Sequence, residues 1–282
     1  MKRGVYAAVF DSRGKAGGVP AHSIPDFRLP DSTIDIDINY SKSLSIEVLG
    51  EDPDHDLEDM LMMFDAVFVA TGLPRGKRLG IPGEDLPGVA PVLFFLEEAR
   101  AGRVASLAGR RVVVVGGGNV SLDAASVAAH LGGDVRLLYR RGPREMKVWK
   151  SELNEATARG VEIEFFAAPG EVIAEGDVIS GIKCIRTELT ANTDSSGRPI
   201  PVEIPDSEFF IPADLIIVAV GLESGFLRDV TINPDLTTLT PGLFVGGDIA
   251  RGEGTIVEAV ADGKRAARII AEYVRRPGDL GL

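Results

Sequence analysis

The stretch RVVVVGGGNVSLDAASVAAHLGGDVRLLYRR, residues 111–141, decides the fold. Val112 to Val115 are apolar and β-branched at every position, the pattern of a strand buried on both faces. Gly116-Gly117-Gly118 follows without a break, and the alanine-rich run Leu122 to Leu131 has helical spacing. Gly132-Gly133 stops that helix, and Val135 to Tyr139 predicts a second strand. Strand, glycine turn, helix and strand make a βαβ unit of the length that binds a dinucleotide.

The small residues in the turn have mechanical tasks. Gly116 lets the chain leave the strand sharply, and Gly118 lets the backbone approach a pyrophosphate with no Cβ in the way. Ser121, in the third small position, lets the helix pack close to the strand. The backbone N–H groups of Asn119 and Val120, at the positive end of the helix, then face the anion.

The end of the second strand selects the dinucleotide. An acidic residue there would bind a free ribose 2′-OH, whereas this chain has Tyr139-Arg140-Arg141, with Arg144 nearby. Guanidinium forks suit a 2′-phosphate, so NADP(H) is expected rather than NAD(H). The other reading, a solvated basic strand end, sits poorly with a chain of net charge −12.

That charge argues against nucleic acid and anionic membranes as partners. No apolar run approaches the length of a membrane span and no signal-peptide core opens the chain, so a cytoplasmic setting is expected. Cys184 is the single cysteine, which excludes an internal disulfide or a cysteine-ligated cluster within these 282 residues. His22, His55 and His130 have no metal-ligand spacing, and no side chain stands out as a general acid or nucleophile. Neither a metal site nor a catalytic side chain is therefore assigned.

Along the chain, Gly4 to Phe10 reads as a buried strand ending at Asp11, followed by a glycine-rich loop, Ser12 to Gly18. Helices are expected over 34–44, 57–64, 93–101, 151–159 and 255–274, with Ile256, Val260, Ala267 and Ile270 on one face of the last. Further strands are expected over 45–49, 65–70, 161–165, 214–221 and 243–248. The proline-rich segment 73–92 reads as a loop, and 178–188 with 201–210 as antiparallel strands around a polar hairpin, Asn192 to Arg198.

Two halves repeat. Gly4 to Asp11 lies over Gly133 to Arg140, and Asp65 to Gly72 over Asp214 to Gly221. The selector positions differ: Asp11 suits a ribose hydroxyl pair, Arg140 a phosphate. The second half has a strand, glycine turn and helix before Gly133, while only Met1-Lys2-Arg3 precedes Gly4. The first βα element, with its phosphate-cradling loop, is thus expected to be absent from the first half.

Ala16-Gly17-Gly18, Ile24 to Pro30, Ala70-Thr71-Gly72, Gly116 to Asp123, Tyr139-Arg140-Arg141, Gly247-Asp248 and Thr255 to Ala259 together carry a family resemblance over nearly the whole chain. It resembles the small (beta) subunit of NADPH-dependent glutamate synthase and its relatives, within the FAD-dependent pyridine nucleotide oxidoreductases. The resemblance implies an α/β fold with two Rossmann-like nucleotide-binding domains, the first incomplete at its N-terminus. Residues 1–103 and 225–282 would form the FAD-type domain, and 104–224 the NADP(H) domain. The implied activity is hydride transfer from NADPH to FAD, with electrons leaving to an iron–sulfur or other redox partner subunit.

By position, the resemblance assigns Asp11, Gly17 and Gly18 to the FAD ribose and pyrophosphate region, and Arg28 and Pro30 to the flavin side. Asp248, after Gly247, would bond the ribityl or diphosphate part, and the helix starting at Thr255 and Ile256 would aim its positive end at the flavin. Thr71, Gly72 and Gly221 join them as expected cofactor contacts. Three departures stand out: no iron–sulfur domain, no first FAD glycine motif, and Lys147 where relatives carry proline. They leave two other readings open, a non-catalytic NADP(H)-binding module and a truncated fragment without a functional flavin site.

Overall fold

The computed structural model describes residues 4–13, 15–44, 46–49, 56–225, 227 and 230–275. Met1 to Arg3, Ser45 and His55, named above, lie outside the described residues. The chain divides into two compact units: an outer one, 1–75 with 222–282, and an inserted one, 76–221.

The inserted unit is built on a five-stranded parallel sheet in the order Val89–Pro91, Leu215–Val218, Arg111–Val115, Asp134–Tyr139, Glu162–Phe165. The valine strand is its centre. Val115 faces Val218 on one side and Leu138 on the other, and Val112 to Val115 are all at most 3% exposed. Alternation along the strand gives each face of the sheet its own layer. Val113, Val115, Leu138 and Ile216 pack with Ile182, Cys184 and Ile211 of a three-stranded antiparallel sheet, in the order Pro199–Pro212, Val178–Thr193, Ala167–Glu175. Helix Asn119–His130 lies against the parallel sheet and between helices Val92–Arg100 and Lys150–Ala158. Its buried side is small, with Ser121, Ala124, Ala125 and Ala128 bringing its backbone close to the strands.

Residues 76–103, expected in the outer unit, belong to the inserted one. The reason is Val89–Pro91, an edge strand inside the segment read as a loop, whose register runs Val89 with Ile216 and Pro91 with Val218. An edge strand has one unbonded side and so tolerates Pro91. Val92, Leu93, Phe95 and Leu96 of the following helix are then buried. Strand Ala167–Glu175, also unforeseen, covers Val178–Thr193 from the side opposite Pro199–Pro212.

The outer unit holds two separate parallel pairs, Ala8–Phe10 with Glu47–Leu49 and Val67–Val69 with Leu243–Val245. Helices Asp31–Ser43 and Leu57–Met63 connect its first three strands. Val69, Leu243 and Val245 form its core with Leu57, Leu61, Val67 and Ile249 around them. Phe10 meets Phe64 edge to face, with ring centroids 5.9 Å apart. The last helix, Ile256–Arg275, buries Asp262, Ala266 and Ala271, and Tyr273 packs edge to face on Phe244. The expected apolar face is corrected accordingly: Ile256 and Val260 are 45% and 50% exposed and Ala267 is exposed, while Asp262, Ala266 and Ala271 are the buried positions.

Aligned through the repeat, the two pairs of the outer unit match the two flanking pairs of the five-stranded sheet. Val67–Val69 lies over Ile216 to Val218 and pairs with Leu243–Val245 as Leu215–Val218 pairs with Val89–Pro91. Ala8–Phe10 lies over Leu137 to Tyr139 and pairs with Glu47–Leu49 as Asp134–Tyr139 pairs with Glu162–Phe165. The member without a counterpart among the described residues is the central strand, Arg111–Val115.

Candidate functional site: an anion cradle in the inserted unit

The glycine turn joins the end of strand Arg111–Val115 to helix Asn119–His130, and its three glycines are not equivalent. Gly116 has φ +156°, and a Cβ there would lie 2.2 Å from the carbonyl oxygen of Ala219. At Gly117 a Cβ would enter the Tyr139 ring at 2.2 Å, so this glycine, which sequence reasoning left without a task, is required by packing. Gly118 differs from both: nothing lies within 4 Å of a Cβ built on it. Its open side is where a ligand backbone can approach.

Helix Asn119–His130 begins at Asn119, three residues before the expected Leu122, with Gly118 as its N-cap. No side chain caps it and its first turn carries no acid. Ser121 is fully buried and turns its Oγ back to donate to the Gly118 carbonyl at 2.6 Å. The free end of a twelve-residue helix, beside a glycine with an open face, is built for an oxyanion group. A dinucleotide diphosphate fits these residues.

The strand end beside it is held tightly. The Tyr139 hydroxyl donates to the Glu145 carbonyl at 2.8 Å, and the Gly142 N–H donates to the Glu145 carboxylate at 3.1 Å. Arg140 is exposed, while its own carbonyl accepts from Thr187 Oγ1 at 2.9 Å. Burial, and then the charges of Arg141 and Arg198, hold the Arg140 guanidinium below its ordinary pKa. Arg141 does not match its expected role. Its side chain is 4% exposed, and it donates through Nη2 to Asp194 at 2.7 Å and through Nε to the Pro199 carbonyl at 2.9 Å. Its guanidinium is spent on anchoring the hairpin, which leaves Arg140 as the exposed arginine of the pair. Gly221, φ +116°, ends this unit just after strand Leu215–Val218.

In the outer unit, Asp11 follows strand Ala8–Phe10 and accepts from the Arg13 N–H at 2.9 Å. Gly17 is needed for packing, since a Cβ there would meet Ala21 at 2.6 Å, whereas Gly18 and Gly72 face open space. Gly18 opens a short helix, Gly18–His22, where a loop was expected. Arg28, Pro30 and Thr71 are exposed, Pro30 serving as N-cap of helix Asp31–Ser43. The buried Gly247 donates its N–H to Asp262 at 2.9 Å, and Arg251 pairs with the same carboxylate. This clamp holds the turn bearing Asp248, whose carboxyl is raised by burial and then by Glu253. Thr255 caps helix Ile256–Arg275 in a reciprocal box with Glu258: the Thr255 N–H donates to Glu258 at 2.8 Å and the Glu258 N–H to Thr255 Oγ1 at 3.3 Å. The residues suited to the ribose end of a dinucleotide are present here. Its described glycine turns, at Gly17 and at Gly246-Gly247, open onto helices of five residues or fewer, Gly18–His22 and Asp248–Arg251.

A family model for pyridine nucleotide-disulphide oxidoreductases matches residues 31–263. The chain belongs to that family. Among curated members, it is 38% identical over 97% of its length to the NADP(+)-dependent formate dehydrogenase subunit beta of Moorella thermoacetica, of which it spans 41%. It is 32% identical to the glutamate synthase [NADPH] small chain of Halomonas elongata, covering 97% of this chain and 64% of that one. Among solved structures, Mycobacterium tuberculosis FprA in complex with NADPH matches with a TM-score of 0.78 and 19% identity, over 96% of this chain and 78% of that one. Thioredoxin reductase of T. acidophilum matches with a TM-score of 0.70 and 19% identity, over 96% and 91%. The family's α/β fold with Rossmann-like parallel sheets is the fold expected here. The chain spans less than half the length of the first of these curated relatives. Among the described residues no helix is long and apolar enough to cross a membrane.

Proposed function

We propose that the inserted unit binds NADP(H), and that the chain serves in hydride transfer from NADPH to FAD held by the outer unit. The observation that carries this is the pairing of an uncapped helix start at Gly118 with the exposed Arg140 at the neighbouring strand end. Gly118 and the first-turn N–H groups would take the diphosphate, and Arg140 the 2′-phosphate. FAD supplies the hydride acceptor when bound; the protein's contribution is to place the two rings and fix the surrounding charge. Asp11 would bind the FAD ribose, and Asp248, with its raised carboxyl, is suited to donate or accept a hydrogen bond at the ribityl chain.

The FAD site would be completed by one further strand, glycine turn and helix, set between Ala8–Phe10 and Val67–Val69. That place is inferred from the way the two strand pairs match the flanks of the five-stranded sheet. Relatives named as subunits support a redox partner that takes up the electrons.

The test is an anaerobic titration of the chain with NADPH and NADH, followed by calorimetry, with added FAD in a second series. NADPH binding without FAD, and bleaching of flavin absorbance near ~450 nm once the missing segment is supplied, are expected. No binding of either nucleotide would overturn the reading.

A further inference from the structure

We propose that Arg198, at the tip of the long hairpin, is the second guanidinium of the 2′-phosphate site, beside Arg140. This rests on the reading that the inserted unit binds NADP(H).

The hairpin tip is a rigid object organised by one carboxylate. Asp194 accepts from the Ser196 N–H at 2.9 Å, the Ser196 hydroxyl at 2.6 Å and the Arg198 N–H at 3.2 Å, all through Oδ1. The Asp194 N–H donates to the Arg198 carbonyl at 2.8 Å, and the Gly197 N–H returns to the Asp194 carbonyl at 2.9 Å. This tip is docked on the selector strand. Arg141 reaches it through Asp194 Oδ2 and the Pro199 carbonyl, and Thr187 of the same hairpin holds the Arg140 carbonyl. Arg198 therefore comes to the strand end on a fixed support.

The charges there do not balance. Arg141 and Arg198 gather at Asp194, which with both of them also acts on Arg140, and its Oδ2 is taken by Arg141 at 2.7 Å. Arg198 stands 3.7 Å from that oxygen and binds Ser196 Oγ through Nε at 2.8 Å, with its side chain 30% exposed. A guanidinium has five donors, so Arg198 retains donors for a ligand. Two cations with one neutralised neighbour repel each other, and a dianionic phosphate between them removes that repulsion. Among the described residues the hairpin sheet has no counterpart in the outer unit, where the selector position is Asp11 rather than an arginine. The added sheet thus brings its cation only to the half whose selector calls for one.

The experiment measures NADPH, NADH and 2′,5′-ADP binding to the full chain and to Arg198→Ala, Arg198→Lys and Arg140→Ala. Arg198→Ala should weaken NADPH and 2′,5′-ADP about 10- to 100-fold and change NADH less than twofold, with Arg198→Lys in between. An unchanged melting temperature shows that the hairpin tip survives. If Arg140→Ala abolishes selectivity while Arg198→Ala leaves it intact, the Arg198 assignment falls alone. Wild type that binds neither nucleotide overturns the reading of the whole unit.

Discussion

Replacing Gly118 by alanine adds one methyl group where a diphosphate would meet the helix start, and it separates binding from folding. Gly118 has φ −106° and ψ 177°, backbone angles that alanine adopts without strain, and its added Cβ touches nothing. Two small terms act on folding. Stiffening the unfolded chain stabilises by about 0.4–1 kcal/mol, and a poorer N-cap costs a similar amount. They nearly cancel, so the melting temperature should move by less than about 4 °C. Nucleotide binding is different, because the methyl displaces the diphosphate from the helix N–H groups. Losing two charge-assisted hydrogen bonds at about 1.5–3 kcal/mol each weakens NADPH more than about a hundredfold.

Gly116→Ala is the contrasting case. Its Cβ would sit 2.2 Å from a backbone oxygen at a φ of +156°, and backbone cannot swing aside. Overpacking and strain together should cost about 2–5 kcal/mol of stability. Calorimetric titration with NADPH and thermal denaturation of both variants provide the comparison. A Gly118→Ala protein that binds NADPH within threefold of wild type would refute the cradle.

Other outcomes follow from single contacts. Arg111 holds the Asp214 carboxyl down to about 2, so the pair's contribution is whole above the ordinary aspartate value and is lost as pH falls through about 2; Arg111→Ala should shift the acid-unfolding midpoint upward, and an unmoved midpoint would dismiss the pair. Burial pushes the Cys184 thiol up to about 12, so native protein at pH 8 should resist a disulfide reagent that titrates one thiol after unfolding in urea. Asp262→Asn breaks the pair with Arg251 behind Gly247 and should destabilise the outer unit by about 1–3 kcal/mol in urea melts, with a change under about 0.5 kcal/mol counting against the clamp.

What was legible in the sequence was whatever periodicity and turn chemistry determine locally. Four valines before three glycines fixed the central strand and its turn, and residues 111–141 fold as read, apart from a helix start moved to Asn119. The edge strand Val89–Pro91 was hidden because prolines mark loops, and only pairing with Leu215–Val218 makes three such residues a strand. Ile256 and Val260 misled for a related reason, since an apolar face on a helix predicts burial only if something covers it. Arg141 and Arg198 show the limit most clearly. Adjacent arginines look equivalent in a sequence, yet a hairpin some fifty residues away claims one of them. The clue available beforehand was the polar hairpin itself, with Asp194, Ser196 and Arg198 within five positions.

The repeat gives the outer unit its physical meaning. In the inserted unit, Leu138 is 1% exposed because the valine strand lies beside its own strand and the antiparallel sheet covers its face. Val9, which lies over Leu138, is 42% exposed beside Ala8–Phe10's single partner, Glu47–Leu49. The same local pattern of apolar residues therefore reaches burial in one half and not in the other. Val69 differs: with one parallel partner strand, Leu243–Val245, it is still only 6% exposed, because Leu57, Leu61 and Ile249 pack around its cluster. The uncovered side is that of Ala8–Phe10, the strand that ends at Asp11. That is the side on which the strand, turn and helix of the inserted unit form their anion cradle. A flavin site assembled from this half would draw its ribose contact from Asp11 and its diphosphate contacts from a strand, turn and helix beside Ala8–Phe10, which ties flavin binding to completion of the sheet.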